Sequence, residues 1–165
     1  MTTEAHSQEI RIELLKERIY ATIVVLAELI TLDGRGSSAT RAALLVATTS
    51  VSLWAASLIA ARMSYRVVTG RREPWSDARR QLIVHSPLLA ASAFPLATIG
   101  LASIGAMTTD VAINSSIAAC VLVLVGWSLQ SARAVGASRV ATAVIATLEL
   151  GIGLGIVWLK ASLAI

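Results

Sequence analysis

The chain has 165 residues, of which 56% are hydrophobic and 15% charged, whereas an ordinary soluble domain has about 25% charged residues. This composition argues against a soluble fold and against chemistry carried out in water by a globular domain. The formal net charge of +4 does not predict nucleic-acid binding, because the basic residues lie in short segments between apolar runs.

Five stretches of the chain are apolar enough to cross a bilayer, which takes about 20 helical residues. We therefore predict an all-α, polytopic membrane helix bundle that forms a single transmembrane domain over residues 1–165. Two prolines in the third stretch predict a kink in that span. The five predicted transmembrane helices cover approximately residues 11–32, 42–62, 82–107, 111–131 and 140–160.

Two polar connections divide the predicted spans. The segment Thr108–Asp110 is short, so spans three and four are expected to be antiparallel neighbours. Residues 67–81 form the longest internal polar segment, which we predict to be a cytoplasmic, arginine-rich loop in contact with anionic lipid headgroups. The basic residues of this loop are Arg71, Arg72, Arg79 and Arg80.

The distribution of basic residues predicts the orientation of the protein. If the N-terminus is cytoplasmic, every one of the 14 basic residues except Arg35, Arg41 and Lys160 lies on the inner side. Cytoplasmic loops carry an excess of arginine and lysine. We therefore expect a protein of the cell inner (plasma) membrane with its N-terminus inside and its C-terminus outside.

Two glutamates lie inside apolar runs, Glu28 in the first predicted span and Glu149 in the fifth. A charge at such a depth costs at least ~2.5–3.5 kcal/mol, and it usually faces the bundle interior or water. At 100° per residue, Glu28 lies on one polar stripe with Glu17 and Tyr20, and we expect this stripe to face inward. Each carboxyl is either protonated and hydrogen-bonded to a neighbour, a binding site for a cation or a proton, or a contact in subunit assembly.

Other polar groups in the predicted spans have two interpretations each. His85, near the inner end of span three, either accepts a proton or is hydrogen-bonded to a neighbour at the membrane interface. Asn114, near the outer end of span four, either lines a pore or joins helices through its amide. Gly151 and Gly155 form a GxxxG pattern that predicts close helix packing.

The sequence has none of the common catalytic signatures, since GxSxG, HExxH, P-loop and paired-cysteine motifs are missing. A single cysteine, Cys120, excludes an internal disulfide and a cysteine metal cluster. We therefore predict no catalytic residue, no cofactor and no metal site, and a protein that is not an enzyme.

The run Glu17–Tyr20, followed after Ala21 by TIVVLAEL, and the late glycine-rich span that ends in Lys160 resemble small integral membrane proteins common in actinobacteria. The resemblance covers about a third of the chain. It implies a membrane location, and it implies no particular activity.

Two functions fit these observations. The first is an oligomeric ion or proton channel or transporter, which uses the carboxyls of Glu28 and Glu149 and has His85 near its inner mouth. The alternative is a non-catalytic accessory subunit that packs into a larger membrane complex through the same acids. The expected partners are the lipid bilayer with its anionic lipids, further copies of the chain, or another membrane protein.

Overall fold

The computed structural model describes residues 3–33, 37–72 and 74–134, and within the remainder residues 138, 140–141, 143–144, 147–148, 151, 155, 158–159 and 162. In the three long described ranges the chain forms helices and no strand, which confirms the prediction of an all-α fold. Its helices are α1 (Thr3–Asp33), α2 (Ala39–Thr69), α3 (Trp75–Val84), α4 (Pro87–Ala90), α5 (Ala93–Ser103) and α6 (Thr109–Ala134).

Among the described residues, α2 and α6 are each long and apolar enough to cross a membrane. The pair formed by α3–α4 and α5 meets the same criterion if the two parts count as one bent span, which gives two or three candidate spans. A count of five is therefore not confirmed. Helix α1 is as long as α2, with 31 residues each, but acids and bases interrupt its apolar run, and the fifth predicted span lies largely outside the described residues.

The third predicted span is interrupted between α3 and α4 and again between α4 and α5, and the bend of 44° lies at the second interruption, between the α3–α4 part and α5. Pro87 is the first residue of α4. The backbone N–H of a first helical residue has no partner within the helix, so a proline is tolerated at this position. Pro87 also cannot donate to the carbonyl of Ile83, but Ser86 donates to that carbonyl from its hydroxyl (2.8 Å) and its backbone N–H (3.2 Å). The carbonyl that Pro87 leaves free is thus satisfied locally. The bend at residues 91–92, shortly before Pro95, confirms the predicted kink.

The connection between α2 and α3 is tighter than the sequence indicates. Within the predicted loop 67–81, α2 continues to Thr69 and α3 begins at Trp75, so only residues 70–74 lie between the helices. Gly70 has a left-handed conformation (φ 64°), and its N–H donates to the carbonyl of Arg66 at 2.9 Å. A glycine is favoured here because a side chain would strain this conformation.

Helix α1 is the centre of the bundle and packs against α6, α4, α2 and α3. From Ala21 to Leu32 none of its side chains is exposed, and Leu26 and Leu29 are 0% exposed. The apolar part of α1, a helix that also carries several acidic residues, is therefore enclosed by the neighbouring helices. The core around it includes Val46, Ile99, Ala112 and Ile113.

A buried hydroxyl pair joins α5 to α6. Oγ1 of Thr98 and Oγ of Ser116 lie 2.7 Å apart. Thr98 Oγ1 is also within 2.9 Å of the carbonyl of Pro95, and Ser116 Oγ is 2.7 Å from the carbonyl of Ala112. Because each hydroxyl has one proton, one hydroxyl donates to the other and the acceptor donates to its own helix.

We expect Leu26→Ala to lower the free energy of unfolding by about 2–5 kcal/mol, because it leaves a cavity in the core around α1. The matched control is Leu44→Ala on α2, where the side chain is 63% exposed and the expected change is about 0.5 kcal/mol or less. Reversible unfolding in mixed micelles measures both values. Equal effects of the two substitutions would show that α1 is not central.

We expect Ser116→Ala to cost about 0.5–1.5 kcal/mol of stability, since hydrogen bonds between membrane helices are worth that much. Ser115→Ala is the control, because the hydroxyl of Ser115 bonds only to the carbonyl of Ala112 within its own helix. A double-mutant cycle of Ser116→Ala with Thr98→Ala measures the coupling. Strict additivity in that cycle would contradict a bond between the two hydroxyls.

Candidate functional site

A polar cleft of about 460 Å³ lies between α1, α2 and the end of α3. Helix α2 contributes only small side chains, spaced three or four residues apart, and these leave room for the cleft. Acidic, basic and amide groups enter from α1 and α3. The lining residues are Glu13, Lys16 and Glu17 from α1, Ser57, Ala60, Ala61 and Ser64 from α2, and Gln81, Val84 and His85 from α3 and its C-cap.

His85 is held in place by the last turn of α3. It is the C-cap residue, and its backbone N–H donates to the carbonyl of Gln81 at 3.0 Å. The Nε2 atom of its ring lies 3.1 Å from Oε1 of the Gln81 side chain. The Gln81 side chain thus orients the ring, and the other ring nitrogen, Nδ1, points toward α1.

The Nδ1 atom faces a carboxylate. The Nδ1 atom of His85 lies 3.5 Å from Oε1 of Glu17, and the two side chains are only 11% and 13% exposed. Neither Nδ1 of His85 nor Oε2 of Glu17 has a hydrogen-bond partner in the described structure. Two buried groups that can both accept a proton are thus placed opposite each other.

The two groups are placed so that they can hold one proton between them. A proton on Nδ1 or on Glu17 turns the contact into a charge-assisted or neutral hydrogen bond. The distance of 3.5 Å is a few tenths of an ångström longer than such a bond, so a small side-chain rotation closes it.

The polar region continues from the Glu17–His85 pair toward the α2–α3 connection. A second cavity of about 190 Å³ shares Glu13, Gln81 and Val84 with the cleft. Its other lining residues are Tyr65, Asp77 and Arg80. Ionisable groups therefore extend from the buried pair to the end of the bundle.

The structure places the predicted pathway residues apart from one another. Glu28 is half-buried on the enclosed half of α1 and has an interaction partner within the protein. It lies about 16 Å along the helix from Glu17, at 1.5 Å per residue, so it does not belong to the polar cleft. Glu149 lies outside the described residues.

Two further candidates lie away from the cleft. Tyr20 is 48% exposed and is not among the residues that line the cleft. Asn114 is exposed on α6, where its Nδ2 donates to the carbonyl of Asp110 at 3.0 Å. The expectation that the stripe of Glu17, Tyr20 and Glu28 faces inward is thus wrong for Tyr20, while Glu17 and Glu28 are partly enclosed.

The residues predicted for lipid contact and helix packing are mostly on the surface. Arg71, Arg72 and Arg79 are exposed, and Arg80 is partly buried with an interaction partner. At Gly151 and Gly155 an added Cβ would have no described atom within 4 Å. The predicted close packing at these two glycines therefore has no counterpart among the described residues.

Glu17 is the site residue that the sequence did not single out. It lies on the amphipathic entrance to the first predicted span, among several other charged residues, where an exposed position is the ordinary expectation. The signal in the sequence for an inward-facing Glu17 was its position on the same helical stripe as Glu28. The contact with His85 joins residues 68 positions apart and has no local pattern.

Comparison with known proteins assigns no family. No protein-family model, curated protein or solved structure matches the chain.

We expect Glu17→Leu and His85→Leu each to cost about 1–3 kcal/mol of stability, because each leaves the other buried group without its polar neighbour. The double substitution should cost less than the sum, with a coupling energy of about 0.5–3 kcal/mol. Glu13→Leu is the control, since this exposed carboxylate lines the same cleft. Additive effects at Glu17 and His85 would contradict an interaction between them.

Proposed function

We propose that the protein is a proton-coupled membrane transport protein, either a channel or a transporter, in which the Glu17–His85 pair is the proton-binding site. The observation that carries this proposal is a carboxylate and an imidazole that face each other at 3.5 Å, each with an unpartnered atom beside a polar cleft. Ionisable groups buried in membrane helices commonly mark proton and ion pathways.

The position of the pair in the fold supports this proposal. His85 lies at the C-terminus of α3, directly before the break at Ser86 and Pro87. Transporters commonly bind their ions where a membrane helix is interrupted, because the ends of the two parts supply polar groups and can move relative to each other. Protonation of the pair would alter the contact between α1 and the C-terminal end of α3.

Under this proposal the original pathway is revised. His85 acts with Glu17 and not alone, and Glu28 is a second acid on the same central helix, in the part enclosed by neighbouring helices. The roles proposed for Glu149 and for homo-oligomer formation remain predictions.

We expect the wild-type protein to accelerate proton entry into liposomes, and Glu17→Gln or His85→Gln to reduce the rate to the leak of protein-free vesicles. An internal pH-sensitive dye and an imposed pH gradient, with valinomycin and potassium to compensate charge, measure this rate. Glu13→Gln is the matched control, because it removes a carboxylate from the same cleft and leaves the pair intact.

Wild-type vesicles that acidify no faster than empty ones, with sodium, potassium or no cation gradient, would contradict transport. Equal losses in Glu13→Gln and Glu17→Gln would contradict the assignment of the site to the buried pair. Detergent-solubilised variants that elute like the wild type on gel filtration establish that the loss is not a failure to fold.

An accessory role in a larger complex is the alternative, and one surface favours it. Helix α2 carries large apolar side chains that are 52–63% exposed and lie on one face; they are Leu44, Val51, Ile59 and Met63. A helix of a partner protein could pack against this face in place of lipid. Purification from the native membrane in mild detergent would then recover a stoichiometric partner, and a homogeneous assembly of this chain alone would speak against this alternative.

A further inference from the structure

Another cavity, of about 220 Å³, lies at the α2–α3 connection and shares no lining residue with the polar cleft or the cavity next to it. Its described lining residues are Arg62, Arg66, Arg72, Trp75 and Ala78, which include three guanidinium groups. The cavity is several times larger than the volume of about 30 Å³ that one water molecule occupies in the liquid. It therefore has space for an anion the size of a phosphate group.

The fold brings these arginines together. Arg62 and Arg66 are one turn apart on α2, and the left-handed residue Gly70 reverses the chain so that Arg72 and Trp75 approach the same surface. Like charges at this spacing on a helix repel each other. Arg62 also has an interaction partner within the protein, so Arg66 and Arg72, both exposed, are the groups available to a ligand.

The ligand that suits this arrangement is a phosphate. Guanidinium groups bind phosphate through two parallel hydrogen bonds, and this planar geometry makes arginine the preferred partner. Trp75 is 75% exposed beside the arginines, and exposed tryptophans typically lie at the level of lipid headgroups. The cavity is also at the end of α2, one of the candidate membrane spans.

We propose that this cavity binds the phosphate of an anionic phospholipid headgroup, with Arg66 and Arg72 as the phosphate ligands and Trp75 beside the glycerol region. The proposal replaces the predicted contact surface of Arg71, Arg72, Arg79 and Arg80 with a defined site that shares only Arg72 with it. It depends on residues outside the Glu17–His85 pair, and it holds or fails independently of proton transport.

The test is lipid retention by the full chain in mild detergent, measured by native mass spectrometry with added phosphatidylglycerol or phosphatidylcholine. We expect the wild type to retain phosphatidylglycerol preferentially. The double variant Arg66→Gln/Arg72→Gln should bind phosphatidylglycerol about 30-fold more weakly, since each arginine near an anionic surface contributes about fivefold. Arg71→Gln, an exposed neighbour that does not line the cavity, is the matched control.

Equal retention of both lipids by the wild type would overturn the proposal, as would an Arg71→Gln loss as large as that of the double variant. Inorganic phosphate that displaces phosphatidylglycerol at millimolar concentration would assign the site to a soluble anion and overturn the lipid source. If the double variant does not fold, Arg66→Lys/Arg72→Lys retains the charge and removes the paired hydrogen bonds, and unchanged retention by it would contradict guanidinium recognition.

Discussion

The structure depends on the enclosure of a helix that is both apolar and acidic. Helix α1 has no exposed side chain between Ala21 and Leu32, and four other helices pack against it. Because a carboxylate in an apolar setting needs a polar partner, the neighbours must supply polar groups as well as apolar surface. At the level of Glu17, the polar group that faces the carboxylate is His85, and Gln81 orients its ring. The packing of α3 against α1 therefore determines what the carboxylate of Glu17 meets.

Two polar sites result from the way α3 is held. On one side it closes the cleft with Gln81 and His85, and on the other it contributes Trp75 and Ala78 to the arginine-lined cavity. This helix has only ten residues. A rigid-body displacement of α3 would therefore alter the cleft and the arginine-lined cavity together.

The sequence predicted what depends on local pattern. Long apolar runs predicted helices, and Pro87 and Pro95 predicted the bend, because proline acts on its own helix. It did not predict that the polar segment 67–81 is mostly helical, since arginine and glutamine favour helices as much as they favour solvent. Nor could it predict the partner of His85, because Glu17 is brought there by packing between α1 and α3. The predicted count of five spans is not confirmed, because the apolar part of α1 is short and flanked by charges, and the fifth predicted span lies largely outside the described residues.

Ser86 makes the interruption between α3 and α4 independent of donors from other helices. The carbonyl that a proline leaves free in a membrane helix is satisfied by neighbouring helices, Ser or Thr side chains, ordered water or a local change of helix geometry. Here the residue directly before Pro87 supplies both donors to the carbonyl of Ile83. The interruption between α3 and α4 therefore supplies its own hydrogen bonds, and a change in the helices or lipids around it would leave these bonds in place.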